Sequence, residues 1–183
     1  ALIWGTQGKT SQQGVVYADY QDWRSRTHSF SELGAFRGQS VTMTGGESPE
    51  RLIGDFVSAS FLRVIDLKLS QGRAFTEAET EVATKAPVAI VSYEAWQNRF
   101  GGDRSMLGKP ITLNGTTFTV IGVTAPHSEV PLGVPDVMVP IGYYPNAHGL
   151  DRGVRGIAVA ARLKPGVSYS AAQRELSTVM SQL

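Results

Sequence analysis

Apolar positions change their period several times along this chain, and each change marks a predicted element. Residues 87–91 form a short, nearly continuous apolar run suited to a buried strand, and Ser92 follows where an N-cap oxygen would accept a first-turn N–H. Glu94 suits the positive end of the helix that starts there, and Trp96 and Phe100 share one face at i,i+4. Gly101 and Gly102 close it, because glycine takes the left-handed conformation without steric cost. Asn114-Gly115 then supplies both positive φ angles of a two-residue type I′ hairpin between strands at 111–113 and 117–123.

Elsewhere the pattern is looser. Residues 2–6 read as a strand and 6–14 as a polar loop. Val16, Tyr20, Trp23 and Thr27 recur at helical spacing and predict an amphipathic helix, with Asp19, Asp22, Arg24 and Arg26 turned outward. Ser29-Phe30-Ser31-Glu32 has capping-box spacing and predicts a short turn to Gly34. Residues 35–44 and 50–58 predict two antiparallel strands joined by a loose polar turn, and Ser58 can cap a helix over 59–65. The acidic stretch 76–85 reads as a surface loop or frayed helix. Pro126, Pro131, Pro135, Pro140 and Pro145 predict an extended, exposed excursion without central strands, in which only 137–139 looks strand-like. A strand over 155–163, a tight turn at Lys164-Pro165-Gly166 and a final helix with Ala172, Leu176, Val179, Met180 and Leu183 on one stripe complete the chain.

Composition narrows the function classes. The 183 residues suffice for one large domain or two small ones, and the formal net charge of +1 carries no run of either sign, which argues against nucleic acid as a partner. The absence of cysteine removes disulfide, thiolate and zinc-thiolate chemistry. No apolar window approaches the ~20 residues of a membrane-spanning helix.

The search for chemistry finds little. Gly102 to Lys109 approaches a phosphate loop, but the spacing is one residue too long and Pro110 stands where Ser or Thr would hold magnesium. Asn114-Gly115-Thr116 spells a glycosylation sequon that the hairpin turn already explains. His28, His127 and His148 lie far apart without a partner at i+3 or i+4, so no metal site is expected. There is no nucleophile elbow, and the carboxylates Asp19, Asp22, Glu77, Glu79 and Glu81 read as hydrated. Neither catalytic residue nor cofactor is expected. Trp23 reads as core, with Tyr17 less decided between core and partner contact.

Trp96-x-x-Arg99-Phe100-Gly101-Gly102-Asp103, continuing through Leu107-Gly108-Lys109-x-Ile111-Thr112-Leu113-Asn114-Gly115 to Val123, resembles the periplasmic core domain of MacB-type ABC transporter permeases, of the multi-copy kind found in soil acidobacteria. Residues 17–24, 52–61, 72–76, 136–140 and 162–167 carry the same resemblance, so it spans nearly the whole chain. It implies an α+β fold with a discontinuous Porter-like subdomain (1–70 plus 153–183) and an inserted, mainly β Sabre-like subdomain (71–152). Trp23, Trp96, Gly101, Gly102, Asp103, Asn114 and Gly115 are then structural positions. It further implies a non-catalytic domain on the periplasmic side of the inner membrane, cut from between two membrane segments. Such a domain couples cytoplasmic ATP-driven movement to substrate or partner handling, in efflux or in lipoprotein or peptide export. The implied partners are an ABC ATPase subunit, a second permease copy, and a periplasmic adaptor or cargo. Pro131, Leu132, Tyr143 and Tyr144 in the Pro-rich excursion are the candidate contact residues. The alternative is a free-standing secreted module that binds carbohydrate or peptide through exposed aromatics such as Trp4, Tyr143 and Tyr144.

Overall fold

The computed structural model of the chain describes residues 2–3, 5–7, 11–46, 48–128, 130, 133–147 and 156–182. In chain order its strands and helices are β1 (Leu2–Ile3), β2 (Gly5–Gln7), β3 (Ser11–Gln13), α1 (Tyr17–Arg26), β4 (Phe30–Thr44), β5 (Glu50–Val57), α2 (Ala59–Val64) and β6 (Leu69–Gly72). There follow α3 (Glu77–Thr80), β7 (Val88–Val91), α4 (Tyr93–Arg99), β8 (Pro110–Leu113), β9 (Thr116–Thr124), β10 (Val137–Pro140), β11 (Ala158–Leu163) and α5 (Tyr169–Met180). Two 3₁₀ turns, Ile141–Tyr143 and Pro145–Ala147, follow β10. The fold is α+β, built on a mixed sheet.

The sheet runs β1-β11-β4-β5-β10-β7-β9-β6, with β8 bound to both β4 and β9. That double pairing bends the sheet into a ring. Met43 of β4 lies opposite Glu50 of β5 on one edge and Leu113 of β8 on the other. Thr119 of β9 likewise lies between Pro110 of β8 and Val88 of β7. β4, β5, β10, β7, β9 and β8 therefore close a small barrel, which leaves those edges paired.

Side-chain alternation then decides what lies inside. Val41, Leu52, Phe56, Ala89, Val91, Ile111, Leu113, Phe118, Val120, Val137 and Val139 belong to one core cluster, which continues past the barrel to Leu33, Ala35, Val159 and Ala161 under α1. Phe36, Val57, Ile90 and Met138 point the other way, to a second cluster capped by Phe61 and Leu62 of α2. The Phe36 and Phe61 rings stack at 4.5 Å. So close an approach needs glycine in β4: a Cβ on Gly34 would stand 2.3 Å from the Phe61 Cα.

Several expectations meet the structure as written. Ser58 Oγ caps α2 by accepting from Phe61 N, and Ser92 Oγ caps α4 by accepting from Ala95 N. Gly101 and Gly102 both have positive φ, as do Asn114 (48°) and Gly115 (79°) in the β8–β9 hairpin. Trp23 and Tyr17 are both buried.

Others are corrected. The predicted capping turn at 29–34 is instead the first part of β4, because Phe30 to Phe36 pairs with β11 and tertiary pairing outweighs local capping. The predicted loop over 6–14 contains a hairpin, β2 against β3, and β6 carried no alternating signal strong enough to be read. Asp19 is 6 % exposed rather than facing water, since burial extends around α1 beyond its apolar stripe. The excursion over 126–145 does contribute a central strand: β10 is buried between β5 and β7. Pro140 is tolerated there because it is the last residue of β10, where pairing with β7 has already stopped at Met138.

Asp55 of β5 is 7 % exposed on the outer face of the barrel, and no hydrogen bond or ion pair reaches its carboxylate among the described residues. Burial pushes its carboxyl up from 3.8 to about 6. A raised acid favours the protonated folded state. The penalty is absent below the unfolded value and complete above about pH 6, so this group's effect on stability worsens as pH climbs between them. Asp55→Asn should therefore stabilise the fold near pH 7 by up to about 3 kcal/mol and have little effect near pH 4. Urea unfolding at the two pH values checks it; equal gains at both would refute the titration.

Ring closure gives a second test. Asn114 Oδ1 accepts from Thr42 N at 2.8 Å while Asn114 N donates to Thr42 O at 2.9 Å. Asn114→Gly keeps the positive φ and loses the side-chain bond, for a cost of about 1 kcal/mol. Asn114→Ala loses the bond and strains the turn, adding about 1–2 kcal/mol. Chemical denaturation should rank wild type above Gly and Gly above Ala, and an Ala variant as stable as Gly would contradict the turn assignment.

Candidate contact site at the barrel mouth

The hairpin tip, the middle of β4 and β5, and the 3₁₀ turns after β10 meet at one open end of the ring. They enclose a pocket of about 210 Å³. Its walls are the inward positions of successive strands: Val41, Gly54, Phe56, Leu113, Phe118, Val137 and Val139, with Tyr143 and Pro145 across the opening. Gln39, Asn114 and Thr116 supply the polar rim.

Tyr143 sits on this lip by virtue of Pro140, which ends β10 and turns the chain into the 3₁₀ segment. Its ring meets Phe118 edge-on at 4.9 Å, and Lys85 Nζ lies 5.4 Å from its centroid, a cation–π distance. Burial raises the phenol above its ordinary pKa. Tyr144 does not join it at the surface: it is 5 % exposed, with its ring 5.7 Å from Phe56. Pro131 and Leu132, the other two expected contact residues, lie outside the described residues, as do Trp4 and His148. The structure therefore brings Tyr143 and Asn114 of the predicted residues together at one opening.

The remaining motif residues are structural in their contacts. Trp23 Nε1 donates to Met180 Sδ at 3.0 Å and ties α1 to α5. Trp96 Nε1 donates to the Asp103 carbonyl at 2.9 Å, holding the glycine turn beneath α4. Lys109 Nζ and the Ser105 hydroxyl and amide bind the Asp103 carboxylate and keep it well below the usual carboxylate range.

The acidic stretch is not merely hydrated. Glu77 pairs with both Arg24 of α1 and Arg63 of α2, Glu81 pairs with Arg24, and Glu32 of β4 pairs with Arg63. Arg73 holds Glu79 down at about 2, helped by the Thr76 amide of the α3 capping box. These pairs clamp α3 onto α1 and α2. Sequence reading missed them because ion pairs across separate elements leave no local spacing. It also missed Gln39, Gly54, Phe118 and Val139, although a lone glycine between Leu52 and Phe56 was a visible sign of close approach.

Among the described residues, no three His, Cys, Asp or Glu side chains gather closely enough to hold a metal ion. No helix of the described residues is long and apolar enough to cross a membrane. The site as built has an apolar pocket, a polar rim and one cation, which is equipment for contact.

Known proteins share this architecture. The model of the MacB-like periplasmic core domain matches residues 2–179. The periplasmic region of MacB from Actinobacillus actinomycetemcomitans superposes with a TM-score of 0.74 at 19% identity, covering 99% of this chain and 81% of that one. The extracellular domain of the noncanonic ABC-type transporter YknZ from Gram-positive bacteria gives 0.74 at 17% identity, with 99% and 91% covered. A domain of a Porphyromonas gingivalis protein named as a permease gives 0.65 at 17%, with 93% and 70% covered. No curated protein matches significantly. At these identities the structural likenesses establish the fold, while the family match runs nearly end to end: the chain belongs to the MacB-like periplasmic core domain family.

Proposed function

We propose that this chain is the extracytoplasmic domain of an ABC transporter permease, that it performs no chemistry itself, and that it passes movement driven by ATP in the cytoplasm to a substrate or partner outside the inner membrane. The observation that carries the reading is the family match over residues 2–179. An ABC ATPase acting through the membrane part of the permease, a second permease copy, and an adaptor or cargo outside the membrane are the partners this role requires. Whether the movement serves efflux or the export of lipoprotein or peptide depends on that cargo.

The architecture supports a mechanical role. β4 is a single strand of 15 residues, roughly 50 Å long, that begins beside β11 and ends in the barrel wall. α5 grips α1 and the connection that leads into that strand: Glu175 accepts from His28 N at 2.7 Å and Ser29 N at 2.9 Å, and Met180 meets Trp23. Force along α5 would thus pass through the short 27–29 connection into β4 and run along that one strand to the barrel. The division into a Porter-like part (1–70 plus 153–183) and a Sabre-like insert (71–152) belongs to the same reading. Its seam would run through the parallel β5–β10 pairing, the short β4–β8 contact and the Leu69–Thr124 end of the β6–β9 pairing.

Two measurements test the proposal. The reading frame on either side of this stretch should encode apolar segments of about 20 residues, and a frame without them ends the permease reading. In the full-length permease reconstituted with its ATPase, Glu175→Ala should weaken the grip of α5 by about 1 kcal/mol, leaving basal ATP hydrolysis intact while transport per ATP falls. Unchanged transport with α5 demonstrably loosened would exclude α5 as the transmitting element.

A further inference from the structure

We propose that the barrel mouth is a binding site for one planar aromatic group, of single-ring or fused two-ring size, that carries a hydrogen-bonding tail. The inference stands on the pocket's own chemistry and goes beyond the transport reading. Three features of the pocket point to this ligand.

The first is size. A buried apolar cavity of about 150 Å³ accommodates benzene, so the 210 Å³ here suits a ring system somewhat larger and excludes a lipid with several chains. The second is the wall. Val41, Phe56, Leu113, Phe118, Val137 and Val139 offer water almost no partners, yet the pocket is open, so water inside it is poorly bonded and an apolar group that displaces it gains free energy. Gly54, between the inward residues Leu52 and Phe56, lets the Val41 side chain close over its backbone, which keeps this stretch of wall apolar and smooth. Phe118 and Tyr143 stand nearly perpendicular, with 69° between their planes, so an inserted ring can meet one by its edge and the other by its face.

The third feature is the rim. Asn114 spends its Oδ1 on Thr42 N, which leaves its amide NH₂ directed by a fixed turn. Gln39 and Thr116 make no side-chain hydrogen bond among the described residues. Donors and acceptors with unspent capacity therefore surround an apolar socket, the arrangement that selects an aromatic body with a polar end. A tryptophan or phenylalanine side chain on a peptide and a free aromatic compound share this chemistry.

The test is titration of the ¹⁵N-labelled 183-residue chain with indole and with N-acetyltryptophan amide, followed by amide chemical shifts. Saturable shifts should centre on Gly54, Phe118 and Val139, with a dissociation constant on the order of 1 mM for indole. Tighter binding of the amide identifies a peptide side chain as the natural form, and tighter binding of indole identifies a free compound. Val139→Phe, which fills the socket, and Thr116→Trp, which plugs its mouth from the partly exposed rim and spares the core, should each weaken binding at least tenfold. Thr116→Trp keeps the test decisive where Val139→Phe unfolds. Absence of saturable shifts at the pocket, or unaltered affinity in a folded plugged variant, overturns the site and leaves the family assignment untouched.

Discussion

Closure of the sheet by the β8–β9 hairpin on β4 is the constraint from which the rest of the barrel follows. The direct pairing is short, Met43 and Thr44 against Leu113 and Thr112, and Asn114 extends it with a backbone bond and a side-chain bond to Thr42. An open sheet of this length would leave the end of β4 and the facing edge of β8 unpaired, and its inward face would need a separate covering layer. Because the ring closes, that face becomes its own core, and the helices are left free to cover the other surfaces. The pocket at the mouth is the part of that interior which the inward side chains do not fill.

β4 joins this barrel to the α1–α5 layer without a break, and the two faces of the sheet hold different cores. One cluster runs from the barrel interior to the underside of α1, while the other holds α2 against β4 and β11. The Glu77, Glu81 and Glu32 pairs with Arg24 and Arg63 lie across the outside of this junction. These side chains are about a third to a half exposed, so each pair contributes at most modestly to stability. Their shared geometry orients α3 relative to α1 and α2, which suits a domain whose proposed work is to transmit displacement. A long strand with α5 held against its approach at one end and an open pocket at the other would be a physical basis for that work.

The proposed contact surface is only half visible in the sequence. The Pro-rich stretch points to Tyr143 and Tyr144 alike, and Tyr143 stands at the opening. Tyr144, its neighbour, turns into the core, because successive residues of a 3₁₀ turn and its exit point in different directions. Nothing in the one-dimensional pattern separates the two. The charged side chains of the 76–85 stretch show the same limit from the other side: their spacing reads as solvated, and their arginine partners come from elements up to 57 residues away.

What the sequence determined by itself is local: the Ser58 and Ser92 caps, the paired glycines after α4, the Asn114-Gly115 turn and the buried β7 run all appear where their residues required them. Each of these depends on interactions within a few positions of chain, which steric preference and capping chemistry settle. Tertiary structure alone decided that residues 30–34 are strand, that a proline-bearing segment enters the sheet centre, and that an inward glycine, a turn asparagine and Tyr143 share one opening. Those outcomes hinge on which strand lies beside which, and pairing over long separations is selected by the burial and hydrogen bonding of the assembled sheet, to which no short window of residues has access.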